Sequence, residues 1–193
     1  MPKVKLFDEK LILEKAMELF WKKGFHATSI RDLVNFLGIS RSSIYDTYGG
    51  KNELFYKAFH LYRTTNITGF SNFLNQQKNI KKGLRKLFEM AIEQSIADMD
   101  KKGCFVVNTT TELVPGDIEI QKILKENENT FVNIFYEFLL KGEQSGEIPK
   151  GKNLKSIANL YYTLYNGIKV VSKVQPNSKE LLSSVDTVLT LLD

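Results

Sequence analysis

The chain carries a single cysteine, Cys104, so no intramolecular disulfide can form and nothing implies a disulfide-stapled secreted scaffold. Proline is scarce, at 4 residues against 12 glycines, and 42% of the chain is hydrophobic, which argues against wholesale disorder. Nowhere do about eighteen apolar residues run together, so no membrane-spanning helix is expected. The opening Met1-Pro2-Lys3-Val4-Lys5 leads into a segment bearing Asp8, Glu9, Glu14 and Glu18. An uninterrupted apolar run before a small-residue cleavage site is missing there, so no signal peptide is expected and the chain reads as cytoplasmic. The two histidines, His26 and His60, lie apart from each other and from Cys104. With no metal-spaced His/Cys set, no glycine-rich phosphate loop and no nucleophile elbow, neither an enzyme nor a bound metal or cofactor is expected. A net charge of +5 permits binding to nucleic acid or to an anionic surface, but by itself it decides little.

What is present is helical periodicity, with no internal repeat and no convincing strand. Asp8 can cap a first helix, about Glu9 to Lys23, which Gly24 ends. Thr28 can cap a second, whose Ile30, Leu33, Val34 and Leu37 follow helical spacing up to Gly38. Ser40 can cap a third, with Ile44 and Tyr48 on one side and Gly49-Gly50 closing it; two short helices joined this tightly read as helix-turn-helix. From Lys51 a fourth helix, to about Phe70, is a connector rather than a flexible linker. Beyond the polar stretch 75–79, further helices are expected over about Lys81 to Met99, Ile118 to Glu143, Leu154 to Lys173 and Lys179 to Leu192, the last two separated by Pro176, with a short segment around Val106 to Leu113 before Pro115-Gly116. The fold class is all-α.

A free-standing helix favours acids in its first turn because its N-terminus carries partial positive charge. The third helix instead opens with Ser40-Arg41-Ser42-Ser43, a cation and hydroxyl donors suited to an external anion. The run Thr28-Ser29-Ile30-Arg31-Asp32-Leu33, then Gly38-Ile39-Ser40-Arg41-Ser42-Ser43-Ile44-Tyr45-Asp46-Thr47-Tyr48, then Lys51-Asn52-Glu53-Leu54 resembles the TetR-family signature over about Leu11 to Phe55. That resemblance implies an N-terminal DNA-binding domain over residues 1–50, the connecting helix, and a helical ligand-binding and dimerisation domain over 71–193. It assigns backbone-phosphate contacts to Thr28, Ser29, Tyr45 and Lys51, and contacts near the bases to Arg41, Ser42 and Ser43. Ser40 and Tyr48 complete the candidate set, although Thr28 and Ser40 read equally as caps and Tyr48 also reads as core. Ser42 stands where the family often has glycine, and Tyr48 where it often has phenylalanine.

In such proteins the last two main helices form a dimer seam, here about 154–173 and 179–192. The central helices carry a heavy aromatic load, which either fills a core or lines a site for an apolar or aromatic effector. Phe88, Met99, Cys104, Phe105, Asn108, Phe135, Tyr161 and Tyr165 are the candidate lining. The segment Lys102-Gly103-Cys104-Phe105-Val106-Val107-Asn108 resembles a Gly-Cys-apolar element of one TetR subgroup, some of whose members sense electrophiles or oxidants, while a small buried thiol is the alternative. The expectation is a homodimeric repressor of a palindromic double-stranded operator, released by a small apolar, aromatic or reactive effector. The rival readings are a non-inducible, sequence-tolerant DNA-binding protein and an activator.

Overall fold

The computed structural model describes residues 7–174 and 177–193, and every described element is helical. In order they are α1 (Glu9–Lys23), α2 (Ile30–Leu37), α3 (Arg41–Tyr48), α4 (Lys51–Asn75), α5 (Ile80–Ala97), α6 (Phe105–Leu113), α7 (Ile118–Ser145), α8 (Leu154–Val171) and α9 (Ser178–Leu189), closed by a 3-10 turn at Thr190–Leu192. Met1–Lys5 and Pro176 lie outside the described residues. None of the described helices is long and apolar enough to cross a membrane.

Caps set most of the boundaries, because side-chain oxygens satisfy the first amides of each helix. Asp8, Ser40, Asn79, Asp117, Asn153 and Asn177 all accept amides of the helices they precede. One cap differs from expectation. Ser29, not Thr28, caps α2, because Asp32 stands three residues after Ser29 and completes a reciprocal capping box. Thr28 is fully buried, and its hydroxyl donates to the Gly24 carbonyl at 2.6 Å to close the turn between α1 and α2. Helix α4 also runs past residue 70, since Phe70 and Leu74 extend its buried stripe.

Two apolar cores result. The first joins α1–α3 and the opening turns of α4 to α6 and the start of α7, through residues such as Phe20, Leu33, Ile44, Phe55, Phe105 and Ile120. The second joins the far end of α4 to α5, α7, α8 and α9, through Phe70, Leu84, Phe88, Phe135, Tyr161 and Val185. The 25 residues of α4 span about 37 Å and contribute to both cores, so the helix that follows the turn after α3 is also a beam of the body.

Candidate nucleic-acid interface and internal chamber

Helix α3 is held by its inner side and offers its outer side. Ile44 and Tyr48 are buried, while Ser40, Arg41, Ser42 and Tyr45 are exposed and Ser43 is partly so. Arg41 and Tyr45 are one turn apart, and the guanidinium sits 5.6 Å from the ring centroid. The Ser40 hydroxyl accepts the Ser43 amide at 3.1 Å and lies within 2.9 Å of the Ser42 and Ser43 hydroxyls, a cluster of donors at a helix start with no acid in its first turn. Ser29 is exposed but already occupied by its capping box, and Asp32 in turn pairs with Lys23 at 2.7 Å.

Two candidates do not belong to this surface. Thr28 is enclosed, as described, and Tyr48 is a core residue whose hydroxyl donates to the Glu9 carbonyl at 3.0 Å. Burial, with Glu9 and Asp8 nearby, pushes the Tyr48 phenol up to about 12, so it remains a neutral donor. Lys51 opens α4 with its amine 4.2 Å from the Phe25 ring centroid; burial lowers its pKa below the ordinary lysine value, against the pull of Glu112 and Asp32.

The head is clasped to the body by residues far apart in sequence. Glu112, at the end of α6, accepts the backbone amides of Phe25 at 3.1 Å and His26 at 2.7 Å. Gly24 permits this approach: its φ is +84°, and a Cβ there would meet the Glu112 carboxylate at 3.0 Å. The Trp21 indole donates to the Gly103 carbonyl at 2.9 Å, and Lys102 pairs with Glu18 at 2.7 Å. Phe105 packs its ring against Phe55, Phe59 and Tyr62 at centroid distances of 5.8, 5.3 and 5.4 Å.

Behind this joint lies an internal chamber between α4, the start of α6, α7 and α8, lined by Tyr62, Arg63, Asn66, Cys104, Asn127, Phe131, Tyr162, Tyr165, Asn166 and Lys169 among others. Its free space of about 20 Å³ holds roughly one water. Tyr62, Asn66, Cys104, Tyr165 and Lys169 also line an open outer cleft of about 780 Å³, whose walls include Met17, Trp21 and Ala91. The Cys104 thiol is buried, with the Tyr62 hydroxyl at 3.8 Å and the Lys169 amine at 3.9 Å. The Lys169 amine also lies 4.0 Å from the Tyr165 ring centroid. Burial opposes its charge, but Cys104 and Tyr165 outweigh burial and hold its pKa above the ordinary value. Arg63 donates to the Asn127 side-chain oxygen at 3.2 Å.

Of the residues expected to line a ligand site, Cys104 and Tyr165 reach the chamber, and Met99 stands on the rim of the outer cleft, 92% exposed because α5 ends two residues earlier. Phe88, Phe135 and Tyr161 are fully buried in the body core and wall neither cavity. Phe105 belongs to the head core, and Asn108 is a strap that donates to the Lys102 carbonyl and accepts from Lys173. Sequence reasoning missed Arg63, Asn66, Asn127, Tyr162, Asn166 and Lys169. One signal was available: Ile120, Leu124, Asn127 and Phe131 share a helical stripe, and a polar residue on such a stripe marks an interior that needs a partner. Among the described residues no His/Cys/Asp/Glu group could hold a metal.

Residues 12–58 match the family model described as bacterial regulatory proteins, tetR family. The chain is 29% identical over 191 residues to the HTH-type transcriptional regulator YezE of Bacillus subtilis (strain 168), covering 98% of both chains. It is 28% identical to the HTH-type transcriptional repressor ComR of Escherichia coli (strain K12), covering 97% of this chain and 90% of that one. In three dimensions it resembles a cysteine mutant of the TetR-family regulator CifR complexed with 26-base-pair operator DNA, with a TM-score of 0.87, 22% identity, and coverage of 99% and 100%. Residues 12–58 thus match the tetR-family model, and the chain as a whole is similar to HTH-type transcriptional regulators over nearly its full length and has the fold of a TetR-family regulator.

Proposed function

We propose that the protein is a ligand-responsive repressor that binds a pseudo-palindromic operator as a homodimer and leaves it when the internal chamber is occupied. The observation that carries this reading is the position of α4: it starts just after the turn that ends α3, and its Tyr62, Arg63 and Asn66 wall the chamber. In the present state that chamber has room for roughly one water, so any larger occupant must push α4, α7 and α8 apart. A ligand that favours the opened state draws the population toward it and shifts α3 with α4.

Residues 1–50 then serve as the reading head, α4 as the connector, and 71–193 as the effector and dimerisation domain. Arg41, Ser42, Ser43 and Tyr45 contact the groove and its phosphates, with Ser29, Ser40 and Lys51 on the flanks. The family likeness to CifR, captured on operator DNA, supports this orientation. The dimer seam runs over about 154–173 and 179–192. Ile168, Val185, Leu189 and Leu192 serve the internal core, and Leu160, Val170, Val171 and Leu191 stay 40–54% exposed, leaving an apolar strip for a second copy. Two heads on such a dimer read half-sites about one helical turn apart. The role is cytoplasmic and requires no membrane, cofactor or catalysis.

The lysine beside Cys104 favours a second reading in which the effector is an electrophile trapped by the thiol. Selection of genomic fragments by the purified protein, followed by titration of the recovered site at two salt concentrations, tests the main reading. One palindromic site bound in preference to other sequences is the expected result; uniform, strongly salt-dependent binding would instead identify a sequence-tolerant DNA-binding protein.

A further inference from the structure

Building on the proposed effector role of the chamber, we infer that it is an anion site, which takes the carboxylate head of a small organic acid while the apolar part of that acid lies in the outer cleft. Among the described residues two cationic side chains, Arg63 and Lys169, line the chamber, and no aspartate or glutamate does. Among the described residues neither cation makes an ion pair. Half-buried Arg63 has, among the described residues, only the neutral Asn127 oxygen as a hydrogen-bond acceptor, and Glu126 acts on it from longer range. Lys169 faces the Cys104 thiol and the ring and hydroxyl of Tyr165, which favour its charge without supplying a carboxylate. Interior charges are ordinarily paired, because desolvating them costs several kilocalories unless an opposite charge restores the loss. A negative ligand is the partner that this arrangement lacks.

The shape narrows the class. A guanidinium presents two parallel donors that match a carboxylate, and the ammonium adds a third from α8. Asn66, Asn127 and Asn166 supply further polar contacts, and Phe131, Tyr162 and Tyr165 enclose the head. The outer cleft continues from the chamber past Met17, Trp21 and Ala91, a path for an aromatic or alkyl group. The acids on that path, Asp98 and Asp100, are already engaged, with the Gly103 amide and with Lys22, and they disfavour additional negative charge on the tail. The ligand is therefore a monoanion with an uncharged tail.

The test uses the full-length protein with benzoate and octanoate, each beside its neutral amide, benzamide and octanamide, and with the cation benzamidinium. Binding is read by ligand-detected NMR, and operator affinity is read in the same samples. At least one carboxylate is expected to bind about tenfold or more tightly than its amide, with no binding of benzamidinium, and Lys169→Met and Arg63→Met are each expected to lose that preference. Lys169→Arg should keep it, and bound carboxylate should be released on dilution, which separates a reversible anion site from a covalent thiol trap. Equal binding of acid and amide by the unaltered protein overturns the inference without reliance on any variant. A carboxylate preference that survives in a folded Lys169→Met protein overturns it as well. Carboxylate binding that leaves operator affinity unchanged would sink the switch and keep the anion site; operator release by other compounds, with carboxylates bound no better than amides, would do the reverse.

Discussion

The reading head and the body satisfy their polar groups in opposite ways. At the helix starts of the head the partners are near neighbours: Asp8 with Lys10 and Leu11, Ser29 with Asp32, Ser40 with Ser43, all within three residues, whereas Tyr48 with Glu9 is a longer link. Around the chamber and at the joint the partners are distant in sequence: Arg63 with Asn127, Cys104 with Lys169, Asn108 with Lys173, and Glu112 with Phe25 and His26, separated by 64 to 87 residues. Local partners set the helix starts of the head from chemistry within a few residues, although its core is completed by α6 and the start of α7. Distant partners make the body and the joint depend on how four helices come together, which is the arrangement a switch needs, because one displaced helix breaks several contacts at once.

Truncation at the joint should give the largest effect. Phe105→Ala empties the position where α6 meets α1 and α4, and should cost about 3–5 kcal/mol, read as a lower midpoint in chemical denaturation. If it cost under about 1 kcal/mol, head and body would be far less tightly joined than their shared core implies. On the head, Arg41→Ala should leave the melting temperature unaltered and weaken operator binding by about 1–3 kcal/mol, measured by fluorescence anisotropy. A large loss of stability from that exposed residue would instead place it in the fold rather than on the DNA.

Glu112→Gln keeps the size of the side chain but gives up the charge and sets an NH2 donor against one of the two backbone amides. It should cost about 1–2 kcal/mol in stability and reduce the effect of the effector on operator affinity. Unchanged coupling would mean that α6 does not transmit to the turn before α2. A smaller effect concerns the local kind of partner. Lys23, then Ser29, hold Asp32 well below the usual carboxylate range. Its contribution is therefore present in full above its unfolded value, near pH 4, and is lost as pH falls below that toward the native value. The stability gap between the parent and Asp32→Asn should narrow from about pH 7 to about pH 3 in thermal melts. Smallest of all is Thr109→Val: the Thr109 hydroxyl is buried on α6 without a partner among the described residues, so replacing it with a methyl should be neutral or stabilise by up to about 1 kcal/mol.

The same contrast separates what was legible in the sequence from what was not. The bounds of α1 and α3, the caps Asp8 and Ser40, and the stops at Gly24, Gly38 and Gly49 follow from chemistry within a few residues of each boundary. The shift of the α2 cap from Thr28 to Ser29 was legible too, since Asp32 lies at capping-box distance from Ser29 alone. The sidedness of α3 could be read from Ile44 and Tyr48, whereas the enclosure of the Tyr48 hydroxyl against Glu9 could not, because it depends on where α1 lies. In the body, periodicity placed the helices and marked aromatic residues without distinguishing those that fill a core, such as Phe88 and Phe135, from Tyr165, which faces a chamber.

The sequence by itself determined an all-helical chain and a head whose third helix offers a cation and hydroxyls where a free helix would place acids. Those features rest on dihedral preference, capping and helical spacing, all of which act over a few residues. Tertiary structure decided that Arg63 from α4, Asn127 from α7 and Lys169 from α8 meet in one chamber, and that Glu112 reaches the turn before α2. The physical reason is that a charge far along the chain becomes a neighbour only when packing brings its helix there, and no pattern within a single helix records which other helix that will be.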